Sequence, residues 1–124
     1  MSRLFAIAVP IAPGQEEQFQ KFTGELKDNR YEDFQASRRK LGVRERTFFQ
    51  QTPVGGLVIV TLEGENPEQA FQDFGKGTDA FSKWFSEQVK LVHGVDLSSP
   101  FPGALPNLVV DTGPVITVTE AMHN

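Results

Sequence analysis

The sequence predicts a small α+β domain with the element order β-α-β-β-α and one further strand to follow. Three observations carry this reading. Residues 4–11 and 57–62 are short apolar runs, the stretches after them change to helical spacing, and proline–glycine turns separate the two regimes. The apolar runs are unusual in one respect. A strand in a small antiparallel sheet needs only one apolar face, because the other can meet water. Here Leu4, Ala6 and Ala8 alternate with Phe5, Ile7 and Val9, and Leu57 and Ile59 alternate with Val58, Val60 and Leu62. Neither strand has a solvent face. A chain of this size has helices enough for one side of its sheet, so a second copy of the same sheet is the simplest cover for the other. The expected partner is therefore a homodimer mate, met through the open sheet face.

At 124 residues there is room for one core. The division read from the pattern is a domain over residues 1–97 and a loop-rich extension over 98–124 in which short strands remain an option. Hydrophobic content of 39% and charged content of 23% belong to a soluble globular protein. The aromatic residues are 11 Phe, one Tyr and one Trp, a bias toward rings with no polar atom to satisfy, which points first to packing. The net charge of −4, with bases interleaved among acids, argues against nucleic acid or an anionic membrane as partner. Zero cysteines exclude a disulfide framework, a thiolate nucleophile and Cys-ligated metal. The apolar start of the chain runs into Pro10 and Pro13 without a signal-peptide pattern, and no run approaches the ~20 apolar residues of a membrane helix. The expectation is a cytoplasmic protein without a metal or cofactor.

Residues 3–11 have the alternation and β-branched content of a first strand. Ala12-Pro13-Gly14 turns the chain, and Glu16 and Glu17 then suit the positive end of a helix dipole. Phe19, Phe22 and Leu26 make one helical stripe, which Asp28-Asn29 interrupts. A second helical piece over residues 31–41 carries Phe34 and Leu41 on one side, ends in Arg38, Arg39 and Lys40, and is capped by Gly42. Residues 43–52 read as a strand with Val43, Glu45, Thr47 and Phe49 on one face and Arg44, Arg46 and Phe48 on the other. The turn Pro53-Val54-Gly55-Gly56 joins it to the strand at residues 57–63. Asn66 as N-cap before Pro67 opens a short helix that buries Ala70, Phe71 and Phe74 and breaks at Gly75 and Gly77. Thr78 is the expected cap of the last helix, whose buried side is read as Phe81, Trp84, Phe85, Gln88 and Leu91. His93-Gly94 ends it. The order calls for one more strand beside the first, and residues 95–97, 108–110 and 115–118 are all candidates.

The run Ile11-Ala12-Pro13-Gly14-Gln15-Glu16-Glu17-Gln18-Phe19 resembles the first strand-to-helix junction of the dimeric α/β-barrel superfamily, related in fold to antibiotic-biosynthesis-type monooxygenases. The later hairpin and the aromatic helix through Phe81, Trp84 and Phe85 fit the same order, so the resemblance spans about residues 3–97. It is nearest to an uncharacterised branch with a long first helical connection holding an Arg pair like Arg38-Arg39. The resemblance implies a ferredoxin-like β-α-β-β-α-β sandwich forming a dimeric α/β barrel, two sheets face to face. It also implies a cavity between each sheet and its helices where active members bind an aromatic or other organic ligand. Such a junction specifies a fold more than a chemistry. No catalytic motif of the superfamily's enzymes matches residue by residue, and no catalytic residue is assigned.

Four residues are candidates for ligand binding: Arg46, Trp84, His93 and Tyr31. His93 has an imidazole suited to a general base or axial metal ligand, against the simpler role of a cation at a helix C-terminus. Arg46 could hold an anion bidentately, or its strand could be an edge where charge discourages pairing. Trp84 offers a stacking platform, though it shares the stripe of Phe81 and Phe85 and suits the core equally. Tyr31 is the single phenol and a possible proton donor. Gly75-Lys76-Gly77-Thr78 lacks the upstream glycine and the Lys-Ser/Thr adjacency of a phosphate loop and is rejected as one. Two functions follow: a small-molecule-binding barrel acting on an organic ligand, or a non-catalytic dimeric interaction module whose cavity is filled by Phe.

Overall fold

The computed structural model of the protein describes residues 2–116. Seven elements follow one another: β1 (Arg3–Pro10), α1 (Glu16–Lys27), α2 (Tyr31–Lys40), β2 (Val43–Thr52), β3 (Gly55–Gly64), α3 (Pro67–Asp73) and α4 (Ala80–His93). The chain is α+β, as its periodicities require. The tight turn between β2 and β3 makes a hairpin, with Thr52 opposite Gly55 and Val43 opposite Gly64. Strand β1 then adds to the far side of β3, antiparallel, with Ile7 opposite Val60. The resulting order is β1-β3-β2, so β3 is the central strand and β1 and β2 are edges.

Side-chain alternation sorts each strand into two faces. Ile7, Val58 and Leu62 point into one core with Phe19, Phe22, Phe81 and Phe85 of the helices. The opposite face is open: Leu4 is 58% exposed and Phe48 54%, with Arg44 and Arg46 beside Phe48 on the same side. The two-faced apolar character of β1 and β3 is thus real, and the helices cover one of the two faces.

The helices begin and end where local chemistry dictates. The Phe19, Phe22 and Leu26 stripe of α1 is buried. Gly42 and Gly94 take the left-handed conformation that closes α2 and α4. Asn66 caps α3 by accepting from the Gln69 N–H at 3.2 Å. At α4 the cap is Asp79 rather than Thr78: its carboxylate accepts from the Ser82 N–H at 3.1 Å and the Ser82 hydroxyl at 2.7 Å. A carboxylate satisfies two donors at once and suits the positive helix end better than a hydroxyl. The hydrogen bonds from Ser82 also hold the Asp79 carboxyl below its ordinary pKa. The buried stripe of α4 is Phe81, Phe85, Val89 and Val92, while Leu91 is exposed and Trp84 and Gln88 are half-buried. The expected stripe drifted one position because it gave weight to Trp84 and Leu91 over the two valines.

Among the described residues the sheet has three strands. Residues 95–97 run as loop, although Val95 is buried and Leu97 packs against the core. Residues 108–110 have no ladder partner among the described residues and are exposed. Of the third candidate, residues 117 and 118 lie outside the described residues.

The return of the chain along α3 depends on Gly75. A Cβ there would overlap the Leu97 carbonyl and stand 2.7 Å from the Ser98 nitrogen, both of them backbone atoms. Gly75→Ala is therefore expected to destabilise the fold by about 1–3 kcal/mol. Gly24, inside α1 with no atom within 4 Å of a built Cβ, gives the opposite sign. Gly24→Ala should stabilise by roughly 0.5–1 kcal/mol. Urea unfolding of both variants checks the contrast.

Candidate functional site

The alternation of β2 turns Glu45 toward the helices, in line with Val43 and Phe49. A carboxylate on that face must be met by a donor. Helix α2 meets it with Arg38, which stands between Phe34 and Leu41 at spacings of four and three on one face. The Arg38 Nε donates to Glu45 Oε1 at 2.6 Å, and the two side chains are only 7% and 4% exposed. Nη1 donates to the Ser37 hydroxyl at 2.8 Å. The guanidinium carbon lies 3.9 Å from the Phe74 ring centre, 4.5 Å from Phe85 and 5.0 Å from Phe34. Nη2 has no hydrogen-bond acceptor among the described residues, so its contacts are with ring faces. Three rings and one carboxylate thus hold a buried arginine.

Glu45 also lines the space between helices and sheet. The narrower part, about 70 Å³, has walls of Ile7, Val9, Phe22, Val58 and Val60. Its polar groups are those of Thr23, Glu45, Thr47 and His93. A wider groove of about 610 Å³ lies between α1, the start of α2 and β2, bordered by Tyr31, Phe49 and Gln51. Phe19, Thr23, Leu26, Glu45 and Thr47 line both spaces, so the two adjoin at those residues. Phe19 stacks on Phe49 at 5.7 Å between ring centres, an aromatic wall at the junction. The Thr47 hydroxyl lies 3.4 Å from Glu45 Oε2, the carboxylate oxygen that Arg38 leaves free.

His93, at the last turn of α4, stands 2.8 Å from the Pro10 carbonyl through Nδ1. A carbonyl only accepts, so Nδ1 carries the proton and the neutral ring keeps its lone pair on Nε2. Burial pushes the imidazole pKa below its ordinary value, and the bond to Pro10 opposes that in part. A neutral, half-buried ring lining the cavity therefore ties the end of α4 to the end of β1. Its place is that of a base with an available nitrogen more than of a cation on the helix dipole. Among the described residues no group of three or more His, Cys, Asp or Glu could hold a metal ion.

The four sequence candidates do not converge. His93 lines the cavity and Tyr31 the groove, where the phenol oxygen accepts from Gln35 Nε2 at 3.0 Å. Trp84 packs edge-on against Phe22 at 5.5 Å, with the Arg30 guanidinium over it at 4.1 Å. Arg46 sits on the open sheet face, 3.3 Å from Glu63, across the sheet from the cavity. The Arg38–Glu45 pair was not singled out as a site. Its signal was present in the alternation that puts Glu45 beside Val43 and Phe49.

No protein-family model, curated protein or solved structure matches the chain. No helix among the described residues is long and apolar enough to cross a membrane.

Arg38→Ala leaves Glu45 buried and unpaired and opens space among three rings. It is expected to destabilise the fold by about 3–5 kcal/mol, whereas Arg38→Met with Glu45→Leu restores most of that stability in urea unfolding. His93 titrates with the opposite consequence to a salt-bridged histidine. Its folded pKa is depressed, so the unfolded chain takes up the proton first as pH falls through the ordinary value of 6.5. Stability should decline between pH 7 and pH 5, and His93→Gln should flatten that decline when unfolding midpoints are compared.

Proposed function

We propose that this chain is a ferredoxin-like domain of the dimeric α/β-barrel kind that binds a small organic ligand between its sheet and helices. The observation that carries the proposal is the junction of groove and cavity, an aromatic and aliphatic space into which Glu45, Thr47 and His93 bring polar atoms. Binding sites for small molecules are mostly apolar clefts with a few placed polar groups. Volume decides where the ligand lies. A space of about 70 Å³ is too small for a drug-sized molecule, while the adjoining groove of about 610 Å³ is within the usual range. The ligand body occupies the groove against Phe49 and Tyr31, and one end reaches toward Glu45 and Thr47.

The barrel reading is supported by the strand order β1-β3-β2 with helices following β1 and β3, and by the exposed Leu4 and Phe48 on the open face. Two such faces together bury apolar surface that one protomer leaves in water. One observation favours the non-catalytic alternative. The rings of Phe22, Phe71, Phe74 and Phe85 wall the space between sheet and helices and leave about 70 Å³ of it free.

A thermal-shift screen of aromatic carboxylates, quinones and haem tests the binding. At a concentration one hundred times its Kd, a bound ligand should stabilise by about 2.7 kcal/mol, and Thr47→Trp, which fills the mouth, should abolish the shift. No shift with any class supports the Phe-filled module instead. Light scattering at micromolar concentration should report a dimer, and Phe48→Glu a monomer. A stable monomeric parent chain overturns the barrel.

A further inference from the structure

The last part of the chain changes character abruptly at Leu105. Up to that point it belongs to the domain: Val95 is buried, and Leu97, Phe101 and Leu105 pack against the core. The Phe101 ring lies 5.8 Å from Phe71. From residue 107 to residue 116 every side chain is exposed. Leu108, Val109 and Val110 are 74%, 88% and 77% exposed, and Val115 95%. A free linker is expected to be polar. This segment, Asn-Leu-Val-Val-Asp-Thr-Gly-Pro-Val-Ile, is half aliphatic with a single charge, Asp111. It is a β-forming sequence held away from its own domain.

The same domain has a place for a strand. Strand β1 is an edge with β3 on one side only. At Phe5 it borders a groove of about 630 Å³ whose apolar wall is Phe71, Val95, Leu97, Phe101 and Leu105 and whose rim carries the polar side chains of Glu68, Gln72, Lys76 and Asp96. The element order calls for a strand at that edge, and among the described residues the chain does not supply one to itself. Geometry explains why. Leu105 is already a wall of the groove, and Pro106 holds the residue before it extended, so the chain continues outward instead of reversing. Its extended part ends at Asp111, whose carboxylate accepts from the Gly113 N–H at 2.7 Å while Gly113 turns at a φ of 87°. Residues 107–111 span about 17 Å extended, against roughly 26 Å for an eight-residue strand such as β1.

We propose that residues 107–116 are an exchanged arm whose first five residues, 107–111, lie along the free edge of β1 in a second copy of this chain and supply the missing strand there. By two-fold symmetry each copy gives one arm and receives one. Main-chain hydrogen bonds hold the arm, and Leu108 and Val110 turn toward the apolar wall of the groove. The inference rests on the dimer proposed above, adding that the tail, not the sheet face alone, joins the two copies.

The absence of cysteine makes the test clean. Chains carrying Gln72→Cys, at the groove, and Val110→Cys, on the face of the arm that enters it, are mixed and oxidised. A disulfide between the two different chains is expected. In parallel, Val109→Asp with Val110→Asp, both exposed within the protomer, should leave the circular dichroism unchanged and weaken the dimer at least tenfold by sedimentation. If the dimer persists undiminished and no mixed disulfide forms, while Phe48→Glu dissociates it, the arm is overturned and the sheet-face dimer stands. If the parent chain sediments as a monomer, the dimer itself is overturned and the arm with it.

Discussion

The arginine–glutamate pair between α2 and β2 is the constraint around which the helical layer is arranged. Helix α2 is polar along most of its length, and Arg38 is its one fully buried residue. An ion pair sealed from water is worth little against an apolar isostere, but its halves cannot be separated without leaving a bare charge inside. The pair therefore sets position more than stability. It fixes where α2 crosses β2, and through the rings of Phe34, Phe74 and Phe85 it ties α2 to the end of α3 and to α4.

The two faces of the sheet divide the labour of the molecule. One carries the core and the cavity with Glu45, Thr47 and His93. The other carries Leu4, Ile59 and Phe48 between the charges of Arg44, Arg46 and Glu63. Arg46 illustrates how alternation governs role. One residue along the strand from Glu45, it stands on the opposite side and pairs with Glu63 in partial contact with water. A pair of that exposure contributes little to stability.

Much of this was legible in the amino-acid order. The alternation of β1 and β3, the α1 stripe, the Asn66-Pro67 start and the glycine stops follow from local rules that tertiary structure did not override. The α4 register was misjudged because Trp84 and Leu91 look like core residues, while the neighbouring helices leave room for Val89 and Val92 instead. The candidate site was less legible. The two faces of β2 were sorted correctly, but alternation alone does not say which of them meets the helices, and nothing local says that Arg38, seven residues earlier and across a glycine turn, is the cation that meets Glu45. Arg38, Arg39 and Lys40 form one basic run, and only the packing of α2 chooses among them. His93 was visible as a residue type, and its bond to the Pro10 carbonyl arises from two elements at opposite ends of the domain.

The central position of β3 also sets the order in which the sheet can assemble. The β2–β3 hairpin closes through a short turn and forms on the microsecond scale of local structure. Strand β1 is made first during synthesis, yet it must wait for two helices and a hairpin before Ile7 can find Val60. In that interval β3 has one ladder unpaired and apolar side chains on both faces, the form of backbone most prone to recruit a strand from another molecule. Folding of this chain is thus a competition between its own first strand and its neighbours for the same edge, and protein concentration during refolding is the variable that decides it.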